Sequence, residues 1–130
     1  MNPTLATAPA DEATPQPGLS VVLGGTGGIG AALVAQLRAQ GATVLALGRQ
    51  TQPALDYTAE ATVAACAQHV AAQLSQAGLP LTRLIVATGF LHGSTASGQH
   101  AEPERSWQHL NADALAHSFA VNAVGPALVM

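Results

Sequence analysis

The chain contains no lysine: its four strong cations are all arginine, set among 130 residues with seven acidic ones for a net charge of −3. Chemistry that needs an ammonium group, as a catalytic amine or at the end of a nucleoside-triphosphate phosphate loop, cannot be completed within these residues. So few cations also exclude the basic footprint of a nucleic-acid binder. Charged residues make up 8% of the chain and aromatics 3%, whereas an ordinary globular domain has about 25% charged residues. Hydrophobic residues reach 48%, which rules out a charge-rich disordered chain and leaves the core to Ala, Val and Leu. The single cysteine, Cys66, excludes an internal disulfide and fits a reducing, cytoplasmic compartment. The N-terminus lacks the positive and apolar regions of a secretory signal. No uninterrupted apolar run approaches the roughly 18 residues that a membrane span requires. His69, His92, His100, His109 and His117 have no metal-ligand spacing and no second cysteine to join them, so no metal site is expected.

What is present is punctuated by glycine. Residues 1–18 are rich in Pro, Ala and Thr without apolar period and read as a flexible tail; residues 19–130 have room for one domain. Ser20-Val21-Val22-Leu23 is a short apolar run of the kind found in buried parallel strands. Beyond the glycines, Ile29, Leu33 and Leu37 recur every four residues as the apolar face of a helix, with Gly41 placed to cap it. Thr43–Leu47 predicts a second strand and Pro53–Tyr57 a short third one. A long helix follows, with Val63, Cys66, Val70 and Leu74 on one face and Gly78 and Pro80 closing it. Leu84-Ile85-Val86-Ala87 is the next strand, and a polar loop runs from about Leu91 to Arg105. Asn111 is a good N-cap for the last helix, with Asp113 at its positive end. Trp107 and Phe119 read as packing residues. Strands alternating with helices predict an α/β fold, a Rossmann-type doubly wound parallel sheet that breaks off after the helix following the fourth strand.

Between the first strand and first helix lies Gly24-Gly25-Thr26-Gly27-Gly28-Ile29-Gly30. Glycine serves three purposes in such a turn: a tight reversal, close approach of backbone to a pyrophosphate, and close packing of helix on sheet. The free N–H groups and the helix dipole then meet the phosphates. The alternative is a glycine-rich turn that binds nothing. After the second strand, where an NAD site usually carries an acid for the ribose, the chain reads Leu47-Gly48-Arg49-Gln50-Thr51. Arg49 can pair with a 2′-phosphate, favouring NADP(H) over NAD(H), or it is a solvated loop residue. Asp56 can hydrogen-bond an adenine amino group, or it is a turn carboxylate.

Read in order, Gly24-x-x-x-Gly28-Ile29-Gly30, Arg49, Asp56, Thr88-Gly89 and Asn122-Ala123-Val124-Gly125 resemble the short-chain dehydrogenase/reductase family. Pro103-Glu104-Arg105-Ser106-Trp107 with Phe119 to Pro126 is similar to its C-factor-like subgroup. The resemblance runs from about Leu19 to Met130 and corresponds to the family's N-terminal half. It implies a Rossmann fold, an NAD(P)(H) cofactor, and hydride transfer between that cofactor and a small carbonyl or alcohol. It also implies cofactor contacts at Gly24, Thr26, Gly28, Ile29, Gly30, Arg49, Asp56, Thr88 and Gly89. Thr88-Gly89 stands where the family has Asn-Asn-Ala-Gly, and Leu23 replaces the usual Thr before the first glycine.

Of the family's catalytic Asn, Ser, Tyr and Lys, Asn122 matches the first. Pro126, four residues on, cannot donate to the Asn122 carbonyl, so the helix should kink there; without the resemblance, Asn122 reads as an Asn beside a Gly-Pro break. Tyr57, the one tyrosine, is followed four residues later by Ala61 rather than lysine. The expectation is therefore an oxidoreductase fragment, inactive alone, that gains a substrate only when its other half is restored. The alternatives are an inactive dinucleotide-binding or partner-binding module and a non-functional relic. A strand edge and helix face without their neighbours predict marginal stability and self-association.

Overall fold

The computed structural model describes residues 17–130, so the expected tail lies outside them except for Pro17 and Gly18. Three parallel strands form the sheet, in the order β2 (Thr43–Leu47), β1 (Leu19–Leu23), β3 (Leu81–Val86). Helices α1 (Gly28–Ala39) and α2 (Glu60–Ala77) make the two crossovers. This is an α/β fold of Rossmann-like topology. β1 pairs in parallel with both neighbours, Val21 standing opposite Leu45 on one side and Leu84 on the other.

All five residues of β1 are buried, which is why the run is apolar rather than alternating. Its side chains divide between two cores. Leu19, Val21 and Leu23 pack with Leu47, Leu55, Tyr57, Val63 and Cys66 on the α2 side. Val22 packs with Val34 and Leu37 on the α1 side. In α2 the expected stripe holds: Val63 and Cys66 are buried, with Val70 and Leu74 packed against the same core. Gly78, left-handed at φ 62°, ends that helix as expected.

Three expectations about the elements up to the ribbon change. First, α1 buries Gly30, Val34 and Leu37 rather than the every-fourth-residue line, and Ile29 is 78% exposed. A strict spacing of four drifts around a helix of 3.6 residues per turn, and the contact of Gly30 with the preceding turn sets the phase. Second, Pro53–Tyr57 forms no strand, so the sheet has three strands where four were expected among these residues. Threonine hydroxyls hold that connection locally. The Thr51 hydroxyl donates to the Pro53 carbonyl at 2.7 Å, Thr62 Oγ1 accepts from the Asp56 N–H at 3.0 Å, and the Leu55 N–H donates to the Gly48 carbonyl at 2.9 Å. Such bonds compete with ladder pairing, and Pro53 has no N–H to offer a neighbour. Third, the loop after β3 contains a small antiparallel ribbon, β4 (Gly93–Ser94) with β5 (His100–Ala101).

A single 3₁₀ turn (Trp107–His109) leads to α3 (Ala112–Phe119). Asn111 caps α3 as expected, its side chain accepting from the N–H groups of Asp113 at 2.9 Å and Ala114 at 3.2 Å. The expected kink takes the form of a π turn over Ala120–Val124, with the Gly125 N–H bonded back to the Ala120 carbonyl. The helix resumes as α4 (Gly125–Val129), Pro126 in its first turn. Trp107 (89% exposed) and Phe119 (64%) do not pack as expected; among the described residues nothing covers them.

Candidate functional site

In a doubly wound sheet, ligands meet the carboxyl ends of the parallel strands, and here the singled-out residues gather at those ends. The turn leaving β1 is anchored by two N–H groups, those of Gly24 and Gly25, both donating to the Leu47 carbonyl at 2.7 and 3.1 Å. Gly24 has φ +79°, and a side chain there would run into the main chain of Ala87 and Thr88 at 2.8–2.9 Å, so β3 leaves room for glycine only. A side chain on Gly30 would collide with the Gly24 carbonyl, which lets α1 press directly on the turn. Gly28 differs: a side chain there would meet nothing within 4 Å.

The first intrahelical bond of α1 runs from the Ala31 N–H to the Gly27 carbonyl at 2.6 Å, so the N–H groups of Gly28, Ile29 and Gly30 precede the helical ladder. Gly27, as N-cap, has no side chain to satisfy them. The turn thus presents donors without a partner among the described residues, the positive helix end and a side-chain-free approach at Gly28. A diphosphate fits this arrangement. Thr26 lies against Gly48, where an added side chain would meet its hydroxyl at 2.5 Å, and so joins the glycine turn to the loop carrying Arg49.

Arg49 is exposed beyond β2. Asp56 Oδ1 accepts from the Thr58 N–H at 2.9 Å and from its hydroxyl at 2.6 Å. These bonds hold the Asp56 carboxyl below the usual carboxylate range, helped by the positive charge of Arg49. Asp56 is therefore a turn carboxylate in its local bonding.

At the end of β3, Thr88 donates to the Tyr57 hydroxyl at 3.3 Å. Tyr57 is buried and lies against Gly125, where a side chain would overlap its ring. Gly89 faces the Asn122 amide oxygen, 3.6 Å from where its side chain would begin. The Asn122 side chain accepts from the Phe90 N–H at 2.8 Å and donates to the Phe90 carbonyl at 2.7 Å. That amide thus ties the strand end to the π turn and touches main chain only at Phe90, with a further bond to Ser118 Oγ at 3.2 Å.

The structure accordingly brings Gly24, Thr26, Gly28, Ile29 and Gly30 together, places Arg49 and Asp56 at the β2 end, and sets Thr88, Gly89 and Asn122 at the β3 end. Sequence reasoning missed the anchoring roles of Tyr57 and Phe90. They lie 31 and 32 residues from their partners Thr88 and Asn122, and no local pattern signals such bonds. It also missed the cluster beside the ribbon. Asp113 Oδ2 accepts from the hydroxyls of Thr95 at 2.7 Å and Ser97 at 2.8 Å, which pull the Asp113 carboxyl below its usual range. The His117 Nδ1 accepts from the Ala96 N–H at 3.1 Å. An open hollow of about 380 Å³ beside this cluster is lined by Thr95, Glu102, Arg105, Asn111 and Asp113 among others, and no glycine-turn residue reaches it.

No protein-family model and no curated protein matches the chain. Among solved structures, the chain is similar to the crystal structure of the protein lin1944 from Listeria innocua, with 18% identity and a TM-score of 0.56. The match covers 86% of this chain and 46% of that one, so the chain spans about half the length of its solved neighbour. The likeness establishes the fold.

Proposed function

We propose that this chain forms the dinucleotide-binding part of an NADP(H)-dependent oxidoreductase of the short-chain dehydrogenase/reductase type. The observation that carries the reading is the β1–α1 turn, where Gly24 and Gly30 are obligatory for packing while, among the described residues, Gly28 opens onto empty space beside N–H groups without a partner. On this reading Gly24, Thr26, Gly28, Ile29 and Gly30 cradle the diphosphate, and Arg49 pairs with a 2′-phosphate. Asp56 offers its second carboxylate oxygen to the adenine amino group. Thr88, Gly89 and Asn122 border the reactive end. The bound nucleotide would supply hydride chemistry; these residues bind and orient it. A small carbonyl or alcohol becomes a substrate only together with a further part of the enzyme. The single buried thiol suits a cytoplasmic setting.

A second reading, binding without catalysis, is favoured by the lack of any lysine and by the burial of the one tyrosine against Gly125. Titration with NADPH and NADH by calorimetry tests the first reading. Binding of NADPH is expected to be tighter, and Arg49→Ala to weaken NADPH by about tenfold or more while leaving NADH unchanged. If neither nucleotide binds, or if both respond equally to Arg49→Ala, the reading fails. NADPH held without turnover of any carbonyl compound, even with the remainder of the enzyme restored, selects the second reading.

A further inference from the structure

The segment between Phe90 and Ala101 is strapped to α3 by two side chains of that helix, Asp113 and His117. Asp113 receives the Thr95 and Ser97 hydroxyls on one oxygen. His117, one turn along, takes the Ala96 N–H on Nδ1, and its ring meets the Phe90 ring edge-on with centroids 4.4 Å apart. Thr95 is almost fully buried by this arrangement. One of these contacts sets a protonation requirement: Nδ1 of His117 must be a lone pair, because the Ala96 main-chain N–H points at it. A protonated imidazole carries hydrogen on both nitrogens. The acceptor then becomes a second donor facing the first, and the bond turns from attractive to repulsive.

We propose that protonation of His117 releases the Ala96 main chain from α3, making this contact a pH-sensitive latch at the carboxyl edge of the sheet. Two carboxylates feel a charge on His117, Asp113 on the same helix and Asp56 on the β2–α2 connection, and the Arg49 charge acts on Asp56 as well. Release reaches Phe90, which the His117 ring touches and which Asn122 holds through both main-chain groups. The consequence for ligand access at Asn122 rests on the function proposed above; the latch itself does not.

Amide hydrogen exchange of the full chain tests it, with each rate divided by that of an unstructured peptide at the same pH. Between about pH 8 and pH 5, Ala96 is expected to lose protection on the order of tenfold. Val21 and Val22 in the central strand should keep theirs. His117→Asn places an amide oxygen where Nδ1 stands and should hold Ala96 equally at every pH. Four outcomes overturn the latch: constant Ala96 protection while the imidazole titrates, an imidazole that stays neutral throughout, the wild-type slope surviving in His117→Asn, or Val21 and Val22 opening in step with Ala96. The wild-type imidazole nitrogen shifts provide a check that needs no variant, since the latch demands the Nε2–H tautomer at neutral pH and an Nδ1–H tautomer contradicts it.

Discussion

At the scale of single residues, the glycine turn separates two demands that usually coincide. Gly30 has no room for a methyl group because the Gly24 carbonyl occupies that place; Gly28, in the first turn of α1, has open space. Gly30→Ala should therefore destabilise the fold by about 2 kcal/mol or more, read as a lower denaturation midpoint. Gly28→Ala should stabilise it by about 0.5 kcal/mol, since alanine favours a helix and restricts the unfolded chain. The same Gly28→Ala change should weaken NADPH binding, because its methyl group would stand in the path of the phosphates. A methyl group at position 28 that leaves affinity intact would place the diphosphate elsewhere.

Asp56 provides a residue-scale dependence on pH. Thr58 lowers its folded-state pKa through two hydrogen bonds. The stability it contributes is thus fully present above the ordinary carboxylate range and is lost as pH falls through the lowered, folded value. Thr58→Ala should move the Asp56 carboxyl titration, followed by carbon NMR, back up toward the ordinary range. It should also remove this part of the acid sensitivity.

At the scale of elements, the junction of the π turn with α4 is held by ring against backbone: Tyr57 lies where a side chain on Gly125 would have to go. Gly125→Ala should cost about 1–3 kcal/mol, and the loss should shrink if Tyr57→Ala is introduced alongside it, a coupling that a double-mutant cycle measures. The same elements show what could be read from sequence. β2 starts and stops where its apolar run does, α2 buries the stripe its spacing implies, and Asn111 caps α3 through a bond to its own near neighbours. Each of these is decided within a few residues. The errors come from distant partners. Ile29 belongs to the apolar line by spacing, yet the contact between Gly30 and Gly24 turns it outward. Pro53–Tyr57 reads as a strand in the sequence, but Thr51 and Thr62 claim its polar groups. At the candidate site the glycine turn and the placement of Arg49 and Asp56 in the loops beyond β2 are legible because loop conformation is decided locally. The bond of Asn122 to Phe90 crosses 32 residues and left no trace in the pattern.

At the scale of the molecule, β1 is enclosed on all sides while β2 and β3 each have one neighbour among the described residues. Four residues of β3 are exposed, Leu81 and Leu84 among them, and Phe119 and Leu128 are exposed on the helices that follow. An open parallel edge flanked by apolar side chains invites another chain. Sedimentation velocity should show an average mass that rises with concentration, and Leu84→Lys on the edge strand should suppress the rise. A protein that stays monomeric at every concentration would contradict this.

Trp107, the one tryptophan, is 89% exposed on the surface. Its indole is bathed in water whether or not the chain is folded, so its emission spectrum should change little on denaturation, and small quenchers should reach it as readily in the native protein as in urea. An optical melt that follows tryptophan would register almost nothing while the sheet comes apart; circular dichroism in the far ultraviolet, which senses the helices, would register the loss.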